Sequence, residues 1–220
     1  GPTIIDVRTS EDYAADPRLI PGAVRREVDD IAQWAPAYSG HNVIVACRAG
    51  HRLSQGAAAW LRQAGANAEA LDGGVAAWAK AGHPMVLQSA LSPRDAQGRT
   101  VWVTRARPKV DRIACPWLIR RFIDPNAVFL FVAPSEVAGV AERFGATPFD
   151  VEGDGVIWSH DGERCTFDVM VEGLGLAGLA PLAHLALIVR GADTARPDIV
   201  PEAAGLVALS LGLSRMYADD

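Results

Sequence analysis

Cys47 opens the hexapeptide Cys-Arg-Ala-Gly-His-Arg (47–52), which lies between an apolar run at 42–47 that reads as a buried strand and a segment at 54–64 that reads as a helix. A thiol at the tip of a strand, followed by a short loop and a helix N-terminus, meets converging backbone N–H groups and the positive end of the helix dipole. Both favour thiolate over thiol, as do Arg48, Arg52 and His51. The spacing predicts an activated sulfur nucleophile. The alternative is a small buried hydrophobe, the ordinary fate of a free cysteine.

The loop length narrows the chemistry. Cysteine phosphatases wrap a tetrahedral phosphate in Cys-x5-Arg, whereas here the spacing is Cys-x4-Arg, one residue shorter. The tighter cradle suits a sulfur atom carried on Cys47 as a persulfide and disfavours phosphate-ester hydrolysis and arsenate reduction.

A second constellation is His160-Asp-Gly-Glu-Arg-Cys165. Asp161-Gly162, between the stretches 155–160 and 163–171, is a hairpin signal. A two-residue turn there places His160 opposite Glu163 and Trp158 opposite Cys165. His160, Glu163 and Cys165 on one face can begin a divalent-metal site; the other reading is Cys165 packed beneath Trp158. Cys115 precedes Pro116, which is expected as the first residue of a helix. That position makes Cys115 either an anion or oxidant sensor near Arg112 or a buried structural thiol.

The elements that must carry these residues fall into two sets. Apolar runs at 3–7, 42–47 and 68–71 alternate with helical patterns at 31–38, 54–64 and 75–81, the signature of parallel βαβ units. The fold expected for residues 1–90 is α/β, an open parallel sheet with helices on both faces. Residues 83–100 collect Pro, Ser, Gly and charge and lose periodicity, which predicts a linker at 91–99. For 100–220 an α+β domain is expected: strands at 100–104 and 128–132, a helix from Pro116 to Asp124-Pro125, a capped helix over 135–144, the hairpin, and helices near 178–191 and 201–213.

Composition sets the bounds. The chain has 220 residues, half of them hydrophobic and 21% charged, with net charge −5, so it is globular rather than disordered. The mild acidity gives no expectation of nucleic-acid binding. Three distant cysteines cannot form a disulfide framework and predict reduced thiols in the cytoplasm. The longest apolar stretch, 173–189, is interrupted by Gly175, Gly178, Pro181 and His184 and is shorter than the roughly 20 residues of a membrane span, so no membrane association is expected. The chain opens on Gly-Pro and then directly on a strand, with no basic-then-apolar leader, and a segment upstream is expected. Charge is uneven: residues 99–121 are basic apart from Asp111, and 150–172 are acidic apart from Arg164. These segments are either solvated faces or pair with one another, or else form an anion site and a cation site.

Residues 3–86 resemble a rhodanese domain, through Ile-Ile-Asp-Val-Arg (4–8), Glu-Asp-Tyr (11–13), Ile-Pro-Gly-Ala (20–23), the loop 47–52, and Leu-Asp-Gly-Gly-Val-Ala-Ala-Trp-Ala-Lys-Ala-Gly-His-Pro (71–84). The resemblance implies transfer of sulfane sulfur from a donor such as thiosulfate to a thiol or cyanide acceptor through a Cys47 persulfide, with no cofactor required. It implies a substrate cradle of Arg48, Ala49, Gly50, His51 and Arg52, and support of the loop edge by Asp6 and Arg8. Leu53 stands where the family has Ser or Thr, with Ser54 one place later, and Arg18-Leu19 replaces the usual Gly-His; a family strand before residue 1 is not found.

Residues 100–217 resemble the carboxy-terminal domain of chromate-resistance proteins of the ChrB type. The matching stretches include 109–124, 129–132, 145–150, 160–168, 188–194 and 203–214, and that family's pattern continues past Asp219-Asp220 with a further helix. Together the resemblances imply a sulfurtransferase linked to chromate or oxyanion resistance. The alternative is a metal- or oxyanion-responsive regulator that uses the rhodanese fold as a thiol sensor or docking module, with a divalent metal in the second domain.

Overall fold

The computed structural model describes residues 1–217; the helix anticipated past Asp219-Asp220 lies outside the described residues. The chain forms two compact units, Gly1–Gln88 and Ser89–Asp220.

In the first unit the order is β1 (Thr3–Asp6), α1 (Ser10–Ala15), β2 (Arg18–Leu19), β3 (Val24–Arg25), α2 (Ile31–Trp34), β4 (Asn42–Ala46), α3 (Arg52–Gln63), β5 (Asn67–Ala70), α4 (Gly74–Lys80) and β6 (Val86–Leu87). Four strands form a parallel sheet in the order β3-β1-β4-β5, while β2 and β6 pair antiparallel. The β-branched run Val43-Ile44-Val45 suits a pleated, buried surface, and it pairs with β1 through Ile5↔Val45 and with β5 through Val43↔Ala68. Helix α3 buries Ser54, Ala57, Ala58 and Leu61. That spacing is a single helical stripe. Leu61, fully buried against Val43 and Val45 in the same core, contributes about 1.5–3 kcal/mol.

The second unit continues with β7 (Val101–Arg105), α5 (Asp111–Phe122), β8 (Val128–Val132), α6 (Val137–Phe144), β9 (Thr147–Pro148), α7 (Thr166–Gly173), α8 (Ala180–Asp193) and α9 (Glu202–Met216). Its three strands are parallel in the order β8-β7-β9, so the connection through α6 passes over β7. Trp102, Phe149 and Phe167 are fully buried at its core. Residues 94–100, inside the stretch read as a linker, are tied into this unit: Arg94 bridges Thr100, Asp95 N donates to Arg99 O at 2.7 Å, and Arg94 pairs with Asp124 at 3.3 Å.

Three local expectations are corrected. Helix α5 starts at Asp111, so Pro116 lies inside it and Cys115 is in its second turn. The buried set Asp111, Cys115, Leu118 and Ile119 forms one helical face, whose burial offsets an interior proline's cost of about 3 kcal/mol. The hairpin is reduced to a tight turn in which Asp161 pairs with Arg164 through two backbone hydrogen bonds of 3.0 Å. Its central residues are therefore Gly162-Glu163, one position later than expected. The stretch 163–171, expected as the second hairpin strand, instead enters α7, because Cys165 stands at the N-cap and its N–H donates to the Asp168 carboxylate at 3.0 Å. Among the described residues no helix is long and apolar enough to cross a membrane.

Candidate functional site: a strand-tip cysteine and a carboxylate-histidine cluster

Cys47 follows the last residue of β4, and its loop runs directly into α3. The helix has no side-chain cap at His51, so the N–H groups of its first turn need another acceptor. The Ser54 N–H meets the sulfur. Cys47 Sγ lies 3.2 Å from Ser54 Oγ, and the Ser54 hydroxyl also reaches the His51 carbonyl at 3.2 Å. Burial pushes the Cys47 thiol up, but the Ser54 hydroxyl and the backbone N–H groups of Ser54, Ala49 and His51 outweigh it, and the net direction is below the ordinary thiol value. The hydroxyl one place late in the sequence is the one that meets the sulfur.

The loop is held against the turn before α4 by backbone. Val75 N donates to Cys47 O and Ala76 N to Arg48 O, both at 2.9 Å. The approach is too close for side chains. Gly50 (φ +74°) faces Gly73 N and Leu71 O at 2.6 Å from where a Cβ would stand, and Gly74 (φ +60°) faces Cys47 O at 2.2 Å. The motif Leu-Asp-Gly-Gly-Val is therefore the floor on which loop 47–52 rests.

Arg48 is exposed and pairs with Asp12 of α1 at 3.1 Å; His51 and Arg52 are exposed, Ala49 is half-buried and Gly50 is buried. Asp6 and Arg8 form a buried pair at 2.6 Å. The remaining Arg8 donors go to the carbonyls of Asp16 (2.8 Å) and Arg18 (2.6 Å). These two residues thus fasten the end of β1 to the 16–18 segment, and β1 meets the end of β4 through Val7 N and Ala46 O at 2.8 Å.

In the second unit His160, Glu163 and Cys165 are not brought together. Glu163 is exposed and pairs with Arg196 at 3.0 Å. Cys165 is fully buried, and desolvation, then the Asp111 charge, drives its thiol far above the usual range. Cys115 is likewise buried and its thiol is raised by desolvation, the environment of the buried structural thiol that is the other expectation for it. His160 meets a different set of ligands. Its Nε2 lies 3.2 Å from Asp193 Oδ2, 3.4 Å from Asp150 Oδ1 and 3.5 Å from Asp111 Oδ2.

Each partner comes from a different element. Asp111 is the first residue of α5, Asp193 the last of α8, and Asp150 follows β9 with a left-handed φ of +50°. Asp111 Oδ2 accepts from Thr166 N at 2.6 Å, at the start of α7. Asp150 holds Arg105 (3.0 Å), Arg112 (3.2 Å) and the Thr166 hydroxyl (3.0 Å), so the basic and acidic segments pair here. The hydrogen bond that His160 donates to Asp111 lifts its pKa to about 9, against desolvation. Burial, followed by the Asp111 and Asp150 charges, raises Asp193 to about 6. A cavity of about 500 Å³ is lined by Arg105, Asp150, Ser159 and His160 among others. Sequence reading missed Asp111, Asp150 and Asp193 because they are distant in sequence; the lone acid in the basic stretch, Asp111, was the available signal.

Residues 1–81 match the family described as rhodanese-like domain, and residues 102–220 match the family described as ChrB, C-terminal domain. Protein ChrB of Cupriavidus metallidurans is 36% identical over 131 residues, which cover 58% of this chain and 37% of that protein. The chain thus matches well under half the length of that relative. Among solved structures, a rhodanese-related protein of Thermoplasma volcanium is 24% identical with a TM-score of 0.35, covering 39% of this chain and 84% of that one. A rhodanese_3-like domain from Anabaena sp. is 32% identical with a TM-score of 0.35, covering 40% of this chain and 100% of that one.

Proposed function

Because the chain belongs to the ChrB C-terminal-domain family and begins with a rhodanese-like domain, we propose that it is a sulfurtransferase, linked to chromate or oxyanion resistance, that carries sulfane sulfur on Cys47. The observation that supports this reading most is the environment of Cys47 Sγ, where a hydroxyl and three backbone N–H groups favour the thiolate. That is the nucleophile's form.

With thiosulfate as donor, the Cys47 thiolate attacks the outer sulfur. A new S–S bond forms to Cys47, the bond between the two thiosulfate sulfurs breaks, and sulfite leaves with the electron pair. The persulfide keeps one negative charge, which the same N–H groups and Ser54 accept. A cyanide or thiol acceptor then takes the terminal sulfur and returns Cys47 as thiolate. Both steps balance without a cofactor. Arg48 and Arg52, exposed beside the loop, would draw in the anionic donor. Three free cysteines fit a reducing, cytoplasmic setting.

The test is incubation with thiosulfate and cyanide, following thiocyanate, beside Cys47→Ser. Thiocyanate above the variant's level, with one added sulfur on the Cys47 peptide by mass spectrometry, is expected. Production equal to that of the variant overturns the enzyme reading. It would leave the regulatory one, an oxyanion- or metal-responsive protein with a thiol-sensing rhodanese fold, which the carboxylate-histidine cluster favours.

A further inference from the structure

We infer that Asp111, His160 and Asp193 form a binding site for a first-row divalent cation, independent of Cys47. One oxygen or nitrogen from each of the three lies within 4.8 Å of the others. Ligands about 2.1 Å from a shared ion at tetrahedral angles are themselves about 3.4 Å apart. His160 Nε2 stands 3.2 Å from Asp193 Oδ2 and 3.5 Å from Asp111 Oδ2, close to that spacing.

Two further observations point to a cation rather than to an ordinary ion pair. First, an imidazolium Nε2 carries a single proton, yet carboxylate oxygens of Asp111, Asp150 and Asp193 all converge on this nitrogen within 3.5 Å. One N–H cannot satisfy three acceptors, whereas a metal ion held by Nε2 satisfies Asp111 and Asp193 together and leaves Asp150 to its arginines. Second, Asp111 is wholly buried, and while its Oδ2 accepts from the start of α7, its Oδ1 has no hydrogen-bond partner among the described residues. A buried unpaired carboxylate oxygen is costly, and a cation gripped by both oxygens of this carboxylate removes the cost.

The position agrees with the topology. Asp111 follows central strand β7 and Asp150 follows β9, so the cluster is at the carboxyl end of a parallel sheet, where the α6 connection crosses over β7. Open α/β sheets bind ligands at such places. Asp150 is already engaged by Arg105, Arg112 and Thr166 and stands outside the ligand set. One imidazole with two carboxylates suits Mn(II), Fe(II) or Zn(II) over thiophilic ions. His160 is 41% exposed and lines the 500 Å³ cavity, which gives the ion a solvent route.

The experiment uses the full chain, stripped with EDTA and exchanged into metal-free buffer. Mn(II) is titrated with the free aquo ion followed by electron paramagnetic resonance, and Zn(II) uptake is measured by competition. One ion per chain is expected, bound at least tenfold more weakly by His160→Gln and by Asp193→Asn. Glu163→Gln, Cys165→Ser and Cys47→Ser are expected to bind as the unaltered chain does, which separates this site from the sulfur chemistry. Circular dichroism monitors folding; should Asp193→Asn not fold, His160→Gln at its half-exposed position decides alone. No saturable uptake of either ion by the unaltered chain, or equal uptake by His160→Gln, overturns the proposal.

Discussion

The sulfur of Cys47 and the hydroxyl of Ser54, the third residue of α3, lie 3.2 Å apart across seven residues of sequence. The contact stabilises the charged sulfur and fixes where the helix begins. Ser54→Ala is therefore expected to raise the Cys47 pKa and slow its alkylation by iodoacetamide near neutral pH, a tenfold drop in the thiolate-to-thiol ratio corresponding to about 1.4 kcal/mol. The rate measured against pH checks it; an unmoved midpoint refutes the role given to Ser54.

The same thiol has a stability signature. Its pKa is lower in the folded chain than the ordinary value, so the stabilisation it provides is present at pH above the unfolded value and fades as pH falls through the folded one. Urea unfolding of the unaltered chain and of Cys47→Ala from pH 6 to 10 is expected to diverge progressively as pH rises.

Gly74→Ala is expected to abolish thiocyanate formation. The new Cβ would stand 2.2 Å from Cys47 O at a left-handed φ, so the loop must move, with about 1–3 kcal/mol of strain from the backbone conformation alone. Activity and melting temperature together check it; an active, equally stable variant would show that the cradle tolerates displacement.

Arg8→Ala leaves the Asp6 carboxylate buried without its guanidinium. A loss of about 3–5 kcal/mol is expected, read by urea denaturation, while the double replacement Asp6→Leu with Arg8→Met recovers much of it. If the double variant is no better than the single one, the hydrogen bonds from Arg8 to the Asp16 and Arg18 carbonyls matter more than the charge pair.

Only Cys47 is expected to react with small thiol reagents in the native state. Cys115 and Cys165 are fully buried and desolvation disfavours their thiolates. Intact-mass analysis after brief iodoacetamide treatment should show one adduct, and three in urea.

The strand, loop and helix around Cys47 were legible in the sequence because they follow one another between Asn42 and Gln63, and local rules govern each part. The second site was not. Asp111, Asp150, His160 and Asp193 become neighbours only when α5, β9, α8 and the turn before α7 have packed, and no periodicity records that. Two errors there were local and have physical causes. Alternating apolar residues at 163–171 imitate a strand, but Cys165 with Asp168 is a capping pair in which cysteine replaces the usual serine or threonine. Pro116 resembles a helix start, yet the stripe that includes Cys115, Leu118 and Ile119 is buried strongly enough to begin the helix a turn earlier.

The first turn of α3 leans on a sulfur atom where most helices lean on oxygen. Whatever lengthens or oxidises that atom also disturbs the anchoring of the segment behind it, so amide exchange at residues 49–54 would record the cysteine's chemical history.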